Sequence, residues 1–161
     1  MTTTYRPLAA SCDCGSNRMV VTAAPVARFI CHCEICQAYT GKPFSDVTVL
    51  RARDVDMSAA RSVVYRKYRL PPNIERGSCH VCGKPVIEFG LAGPAKLAFL
   101  PTGNYADTST LPPASLHMFY HRRVSDIHDD LPKHSGYFAS QLAVVGLLFG
   151  GLTAKAKPSE H

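Results

Sequence analysis

The chain has 161 residues, 46% of them hydrophobic, which suits a single soluble domain with a core of its own. Its formal charge of +6 is spread over scattered basic residues (Arg51, Arg53, Arg61, Arg66, Lys67, Arg69) rather than one block with stacking aromatics, so no nucleic-acid partner is expected. Met1-Thr-Thr-Thr-Tyr-Arg-Pro lacks the apolar stretch of a signal peptide, and the longest apolar run, Leu142–Leu152, falls short of the about 20 residues of a bilayer span; the expectation is a cytoplasmic protein with no membrane partner.

In chain order, short runs rich in Val, Phe, Tyr and Ile predict strands at 18–23, 27–33, 45–52, 62–70, 85–90, 96–103 and 115–122. Pro, Gly, Asn or Asp bound each run, the spacing of a mainly β protein built from antiparallel sheets. Twelve prolines and eleven glycines predict strongly bent strands. With no repeat and no linker, residues 1–136 form one expected domain.

The stretch 137–152, YFASQLAVVGLLFGGL, breaks this pattern. Phe138, Leu142, Val145, Phe149 and Leu152 recur at helical intervals, and the other face is small: Ala139, Ala143, Gly146 and Gly150. This predicts a C-terminal apolar helix whose stripe packs on the domain or forms a homodimer contact. A disordered tail is expected at 153–161.

Seven cysteines carry the chemistry: Cys12, Cys14, Cys31, Cys33, Cys36, Cys79 and Cys82. An odd number in a cytoplasmic chain argues against a disulfide framework, and the short spacings point to metal ligation. CDCG (12–15) and CHVCG (79–83) each place glycine after their second cysteine, where a metal knuckle needs a positive φ. Together the two pairs supply four thiolates, enough to close a tetrahedral structural zinc site. CHCEIC (31–36) is then left with Cys31, Cys33 and Cys36, three further candidate metal ligands. A redox pair at Cys33 and Cys36 is the competing reading, but the chain lacks the alternating β/α order that such pairs occupy.

Taken in order, Cys-x-Cys-Gly, Cys-His-Cys-x-x-Cys followed by AYTGKPFS (38–45), ERGSCHVCGKPV (75–86) and DIHDDLPKHSG (126–136) resemble the glutathione-dependent formaldehyde-activating enzyme family. The resemblance runs over about residues 8–136 and implies an Mss4-like fold of coiled antiparallel β-sheets stapled by zinc. It implies a structural zinc on Cys12, Cys14, Cys79 and Cys82, and a second, incompletely coordinated zinc on Cys31, Cys33 and Cys36. The implied activity is that of an S-(hydroxymethyl)glutathione synthase, a carbon–sulfur lyase joining glutathione to formaldehyde. The chain departs from the family in having no tryptophan at all, although the family's C-terminal block usually carries one.

The chemistry of an open trio points the same way. Zinc with three thiolates carries net negative charge, which makes it poor at generating hydroxide and suited to holding a further thiol as a thiolate. Cys31, Cys33 and Cys36 are therefore the candidate catalytic residues. His32 alternates with its neighbours along an extended segment and is expected to turn away from the metal, as a supporting or surface residue. Glu34 and Ile35 are expected to shape the turn. Thr40, Gly41, Lys42 and Arg76 are candidate contacts for an anionic peptide such as glutathione, with a plain turn as the alternative for the first three and pairing with a sheet neighbour as the alternative for Arg76. A non-catalytic zinc-stapled binding module, or a thiol carrier of the same fold, is the competing function.

Overall fold

The computed structural model describes residues 5–69 and 74–153. Alternation builds the first strands. In β1 (Leu8–Ser11) and β2 (Arg18–Val21) every second residue is buried, which puts Leu8, Ala10, Met19 and Val21 on one apolar face. The two pair antiparallel, and β5 (Val55–Asp56) joins the free edge of β2 to complete a small sheet.

The larger sheet has seven strands: β3 (Ala27–Cys31), β4 (Ser45–Arg51), β6 (Val63–Lys67), β7 (Glu75–Cys79), β8 (Pro85–Gly90), β9 (Leu97–Pro101) and β10 (His117–Met118). Their order is β10-β3-β4-β9-β8-β7-β6. Every neighbouring pair is antiparallel except β10, which runs parallel to β3. Near the centre, β4 is buried from Val47 to Leu50, because apolar material covers both its faces. On one side Leu50 packs with Leu100 and the small sheet's Met19 and Val21. On the other, Val47 and Val49 meet Phe29, Met118 and Val144.

Val144 belongs to α2 (Tyr137–Thr153), so the molecule has three layers: small sheet, large sheet and helix. The helix forms where the sequence places it, and of the two placements expected for its stripe, packing on the domain is not the one found. Phe138, Leu142, Val145 and Phe149, the expected packing stripe, are exposed. The inward face is Ser140, Ala143, Val144, Leu147 and Leu148. Small residues let the helix axis come close. At Gly151 a Cβ would stand 2.0 Å from the Val26 carbonyl oxygen, so only glycine permits this approach. Of the tail expected at 153–161, Thr153 closes α2 and the rest lies outside the described residues. Among the described residues, no helix is long and apolar enough to cross a membrane.

The seven predicted strands coincide with β2, β3, β4, β6, β8, β9 and β10, trimmed at their ends. The strand expected through Cys33 stops at Cys31, because Cys33 caps a short helix, α1 (Glu34–Thr40). Periodicity does not reveal β7, whose Glu-Arg-Gly-Ser-Cys holds no β-branched or aromatic residue; its pairing with β6 and β8 makes it a strand.

Candidate metal centre

Folding brings the cysteines together in two groups. Cys12 and Cys14 follow β1, and Cys79 and Cys82 end β7 and its turn; their four sulfurs lie within 4.8 Å of one another. Cys14 Sγ is 3.6 Å from Cys12 Sγ and 3.7 Å from Cys79 Sγ. Sulfurs about 2.3 Å from a tetrahedral zinc are spaced about 3.8 Å apart, so this group fits the ion. Both turn glycines adopt the positive φ a knuckle requires, 74° at Gly15 and 71° at Gly83. The backbone N–H of Asn17 donates to Cys12 Sγ at 3.3 Å. The wholly buried Asn17 side chain in turn pins Ser62, donating to its carbonyl at 3.3 Å and accepting its N–H at 2.9 Å.

The second group is Cys31, Cys33 and Cys36, whose sulfurs also lie within 4.8 Å of one another. Cys31 ends β3, Cys33 caps α1, and Cys36 sits in the first turn, where its N–H donates to Cys33 Sγ at 3.3 Å. Three thiols this close cannot all ionise. Hydrogen bonds from Cys31 and Cys36 pull Cys33 well below the usual thiol range, while the Cys33 partner first, then burial, push Cys31 up. The same neighbours raise Cys36. A cation among the three removes this conflict by stabilising each thiolate. The donors are soft, anionic and one short of a tetrahedron. Among the described residues no histidine, aspartate or glutamate joins the trio as a fourth ligand.

His32 is not a surface residue: it is 1% exposed and belongs to another network. Its Nε2 lies 2.8 Å from His117 Nδ1, and His117 Nε2 lies 2.9 Å from Asp129 Oδ2. Lys133 Nζ donates to the other Asp129 oxygen at 2.6 Å. Burial pushes the His32 pKa down to about 4, so the ring is neutral and ties β3 to β10. Glu34 is exposed and pairs with Arg122 at 3.0 Å.

The trio forms part of the lining of a cavity of about 670 Å³ between the large sheet and α2. Arg76 and Glu88 line it too. They are direct cross-strand partners on β7 and β8, with Arg76 Nε 2.8 Å from Glu88 Oε2, and both are buried. Burial raises the Glu88 pKa to about 7 against the opposing pull of Arg76. Thr40, Gly41 and Lys42 do not line the cavity; they finish α1. Thr40 Oγ1 donates to the Cys36 carbonyl at 2.8 Å, the Gly41 N–H to the Gln37 carbonyl at 2.8 Å, and the Lys42 N–H to Thr40 Oγ1 at 3.2 Å.

Residues 7–122 match the family described as glutathione-dependent formaldehyde-activating enzyme. The chain belongs to this family. Membership associates it with glutathione and formaldehyde, and the two cysteine groups are each able to hold a metal ion. No curated protein is significantly similar to it in sequence. A crystal structure of a Rhodobacter sphaeroides protein is similar in fold, with a TM-score of 0.50 at 15% identity over 65% of this chain and 91% of the other. The family match ends before α2, so the helix that closes the cavity lies outside it.

Sequence reasoning missed Glu88, His117, Asp129 and Tyr39. Glu88 was legible only as a polar residue in an apolar strand, PVIEFG, where a buried carboxylate needs a cation from a neighbouring strand. Tyr39 donates from its buried hydroxyl to the Gly77 carbonyl at 2.6 Å, a bond joining α1 to β7 across 38 residues.

Proposed function

We propose that this protein is a zinc-dependent carbon–sulfur lyase that activates the thiol of glutathione for addition to formaldehyde, giving S-hydroxymethylglutathione. One observation carries the reading: three cysteine sulfurs, with no fourth ligand among the described residues, line a cavity of small-molecule size. Cys12, Cys14, Cys79 and Cys82 would hold a structural zinc, and Cys31, Cys33 and Cys36 a second one. When bound at the trio, zinc would supply stabilisation of a substrate thiolate near neutral pH.

The protein's own residues do the rest. Arg76 offsets negative charge gathered at the trio and holds Glu88 beside the cavity. In the addition, the sulfur forms a bond to the carbonyl carbon, the π pair of the carbonyl moves to oxygen, and the thiol proton ends on that oxygen. Glu88, with a pKa near 7, is the group able to take that proton and return it. Cys33 as helix cap and Tyr39 through Gly77 fix the trio relative to the Arg76–Glu88 pair.

Exchange NMR of glutathione with formaldehyde, with and without the zinc-loaded protein, tests the proposal. Acceleration that is lost in Cys33→Ser supports it. Tight glutathione binding without acceleration would make the protein a thiol carrier instead.

A further inference from the structure

The cavity beside the trio is too large and too apolar for formaldehyde alone. At about 670 Å³ it has room for on the order of twenty waters of ~30 Å³ each, and formaldehyde is scarcely larger than one. Glutathione is a poor match for its walls. Two carboxylates and an ammonium would each need a partner on leaving water. Apart from the cysteines, the polar side chains lining the cavity are Arg69, Arg76, Glu88, Gln141 and the Tyr137 phenol, and Arg76 and Glu88 already pair with each other. Most of the remaining wall is hydrocarbon.

Much of that hydrocarbon comes from α2. Val144, Val145 and Leu148 line the cavity, and all three lie beyond the family match. Two other lining residues hold unusual backbone. Phe119 and Leu91 both line the cavity, with φ of 53° and 62°, a region bulky side chains seldom adopt. The Phe119 N–H donates to the buried Ser140 Oγ of α2 at 2.8 Å, which ties that backbone to the helix. Strain of this kind concentrates at ligand-binding walls.

We infer that the site takes aldehydes with an apolar body, of hexyl or benzyl size, whose carbonyl meets the thiol at the trio and whose hydrocarbon lies against α2. This rests on the thiol-activating reading above. The charged ends of glutathione stay at the mouth, where Arg69 is exposed. The chemistry balances as for formaldehyde: a sulfur–carbon bond forms, the π pair goes to oxygen with the thiol proton, and a thiohemiacetal results with no change of oxidation state.

The test uses the full-length zinc-loaded protein and two readouts. First, 1-hexanol, which does not react with thiols, is titrated while the methyl resonances of Val144, Val145 and Leu148 are followed. These should shift, and Val145→Glu, at an exposed position on the wall, should weaken binding about tenfold, equivalent to about 1.4 kcal/mol. Second, exchange NMR compares acceleration of glutathione addition to hexanal and to formaldehyde. Hexanal should gain at least as much, and Val145→Glu should lower the hexanal-to-formaldehyde ratio about tenfold. Should that variant fail to fold, Leu148→Phe, which fills the cavity with hydrocarbon, should lower the same ratio. Acceleration with formaldehyde only, and methyl resonances unmoved by hexanol, would overturn the inference and leave thiol activation standing. Acceleration of neither aldehyde would overturn the reading beneath it. If hexanethiol and formaldehyde react fastest of all, the apolar wall belongs to the thiol and the assignment to the aldehyde is wrong.

Discussion

The four-cysteine group and the three-cysteine group differ less in their sulfurs than in their surroundings. Around Cys12, Cys14, Cys79 and Cys82 stand turn glycines and a buried Asn17 that binds backbone, so the group joins the end of β1 to the end of β7. Around Cys31, Cys33 and Cys36 stand a buried ion pair, a cavity and a helix. The first setting closes the donor set and spends it on connecting two sheets; the second leaves one position open and builds room beside it. On the function proposed above, one ligand type serves as a staple in the first and as a reaction centre in the second, and the number of donors together with the neighbouring space decides which.

The largest expected effect separates the two groups most sharply. Cys12→Ser should unfold the domain in a thermal melt followed by circular dichroism, because a structural zinc contributes on the order of 10 kcal/mol. Cys33→Ser should remain folded, since serine is itself a good helix cap. If both variants unfold, the trio is structural as well and the contrast fails. Metal content should read two zinc ions per chain after mild purification, with brief chelation removing one. Loss of both together would break the contrast from the other side.

The ion pair sharpens it next. Arg76→Met leaves Glu88 buried without its cation and should cost about 3–5 kcal/mol in denaturant unfolding. Carbon-13 NMR of Glu88 in the unsubstituted protein should show a midpoint near 7 rather than near 4.5. Folding raises this pKa, so the folded state holds the proton that the unfolded state releases between those values. The stability this group contributes is complete below about pH 4.5 and is lost as the pH rises through 7. A midpoint near 4.5 would remove Glu88 as the proton carrier. The smallest effect is that of Ser140→Ala, which strips the half-buried Phe119 N–H of its acceptor and should cost about 1 kcal/mol. It should loosen the cavity wall while leaving the four-cysteine group's metal retention untouched.

The features legible in the sequence are local ones. Cysteine spacing divides seven residues into a four and a three, and glycine after the knuckle marks the positive φ found at Gly15 and Gly83. Val- and aromatic-rich runs mark most strands, and the intervals from Phe138 to Leu152 mark α2. What pairs across the chain leaves no such trace. Glu88 meets Arg76 through the β7–β8 register, and His32 meets His117 over 85 residues. The side of α2 that faces inward was also hidden. Hydrophobicity favours the Phe and Leu stripe, whereas the close approach at Gly151 and the hydrogen bonds of Ser140 turn inward the face that carries Ser140, Val144 and Leu148. The cavity draws on six strands and both helices, so no window of sequence contains it.

The bond from Phe119 to Ser140 supplies a built-in reporter. Its proton sits on an amide between the last strand and the helix, so exchange with deuterium at that position requires the helix to lift. The protection of one amide therefore measures how often the roof opens, and comparing it with the amide of Asn17, which donates to Cys12 Sγ, sets the opening of the helix against that of the four-cysteine group.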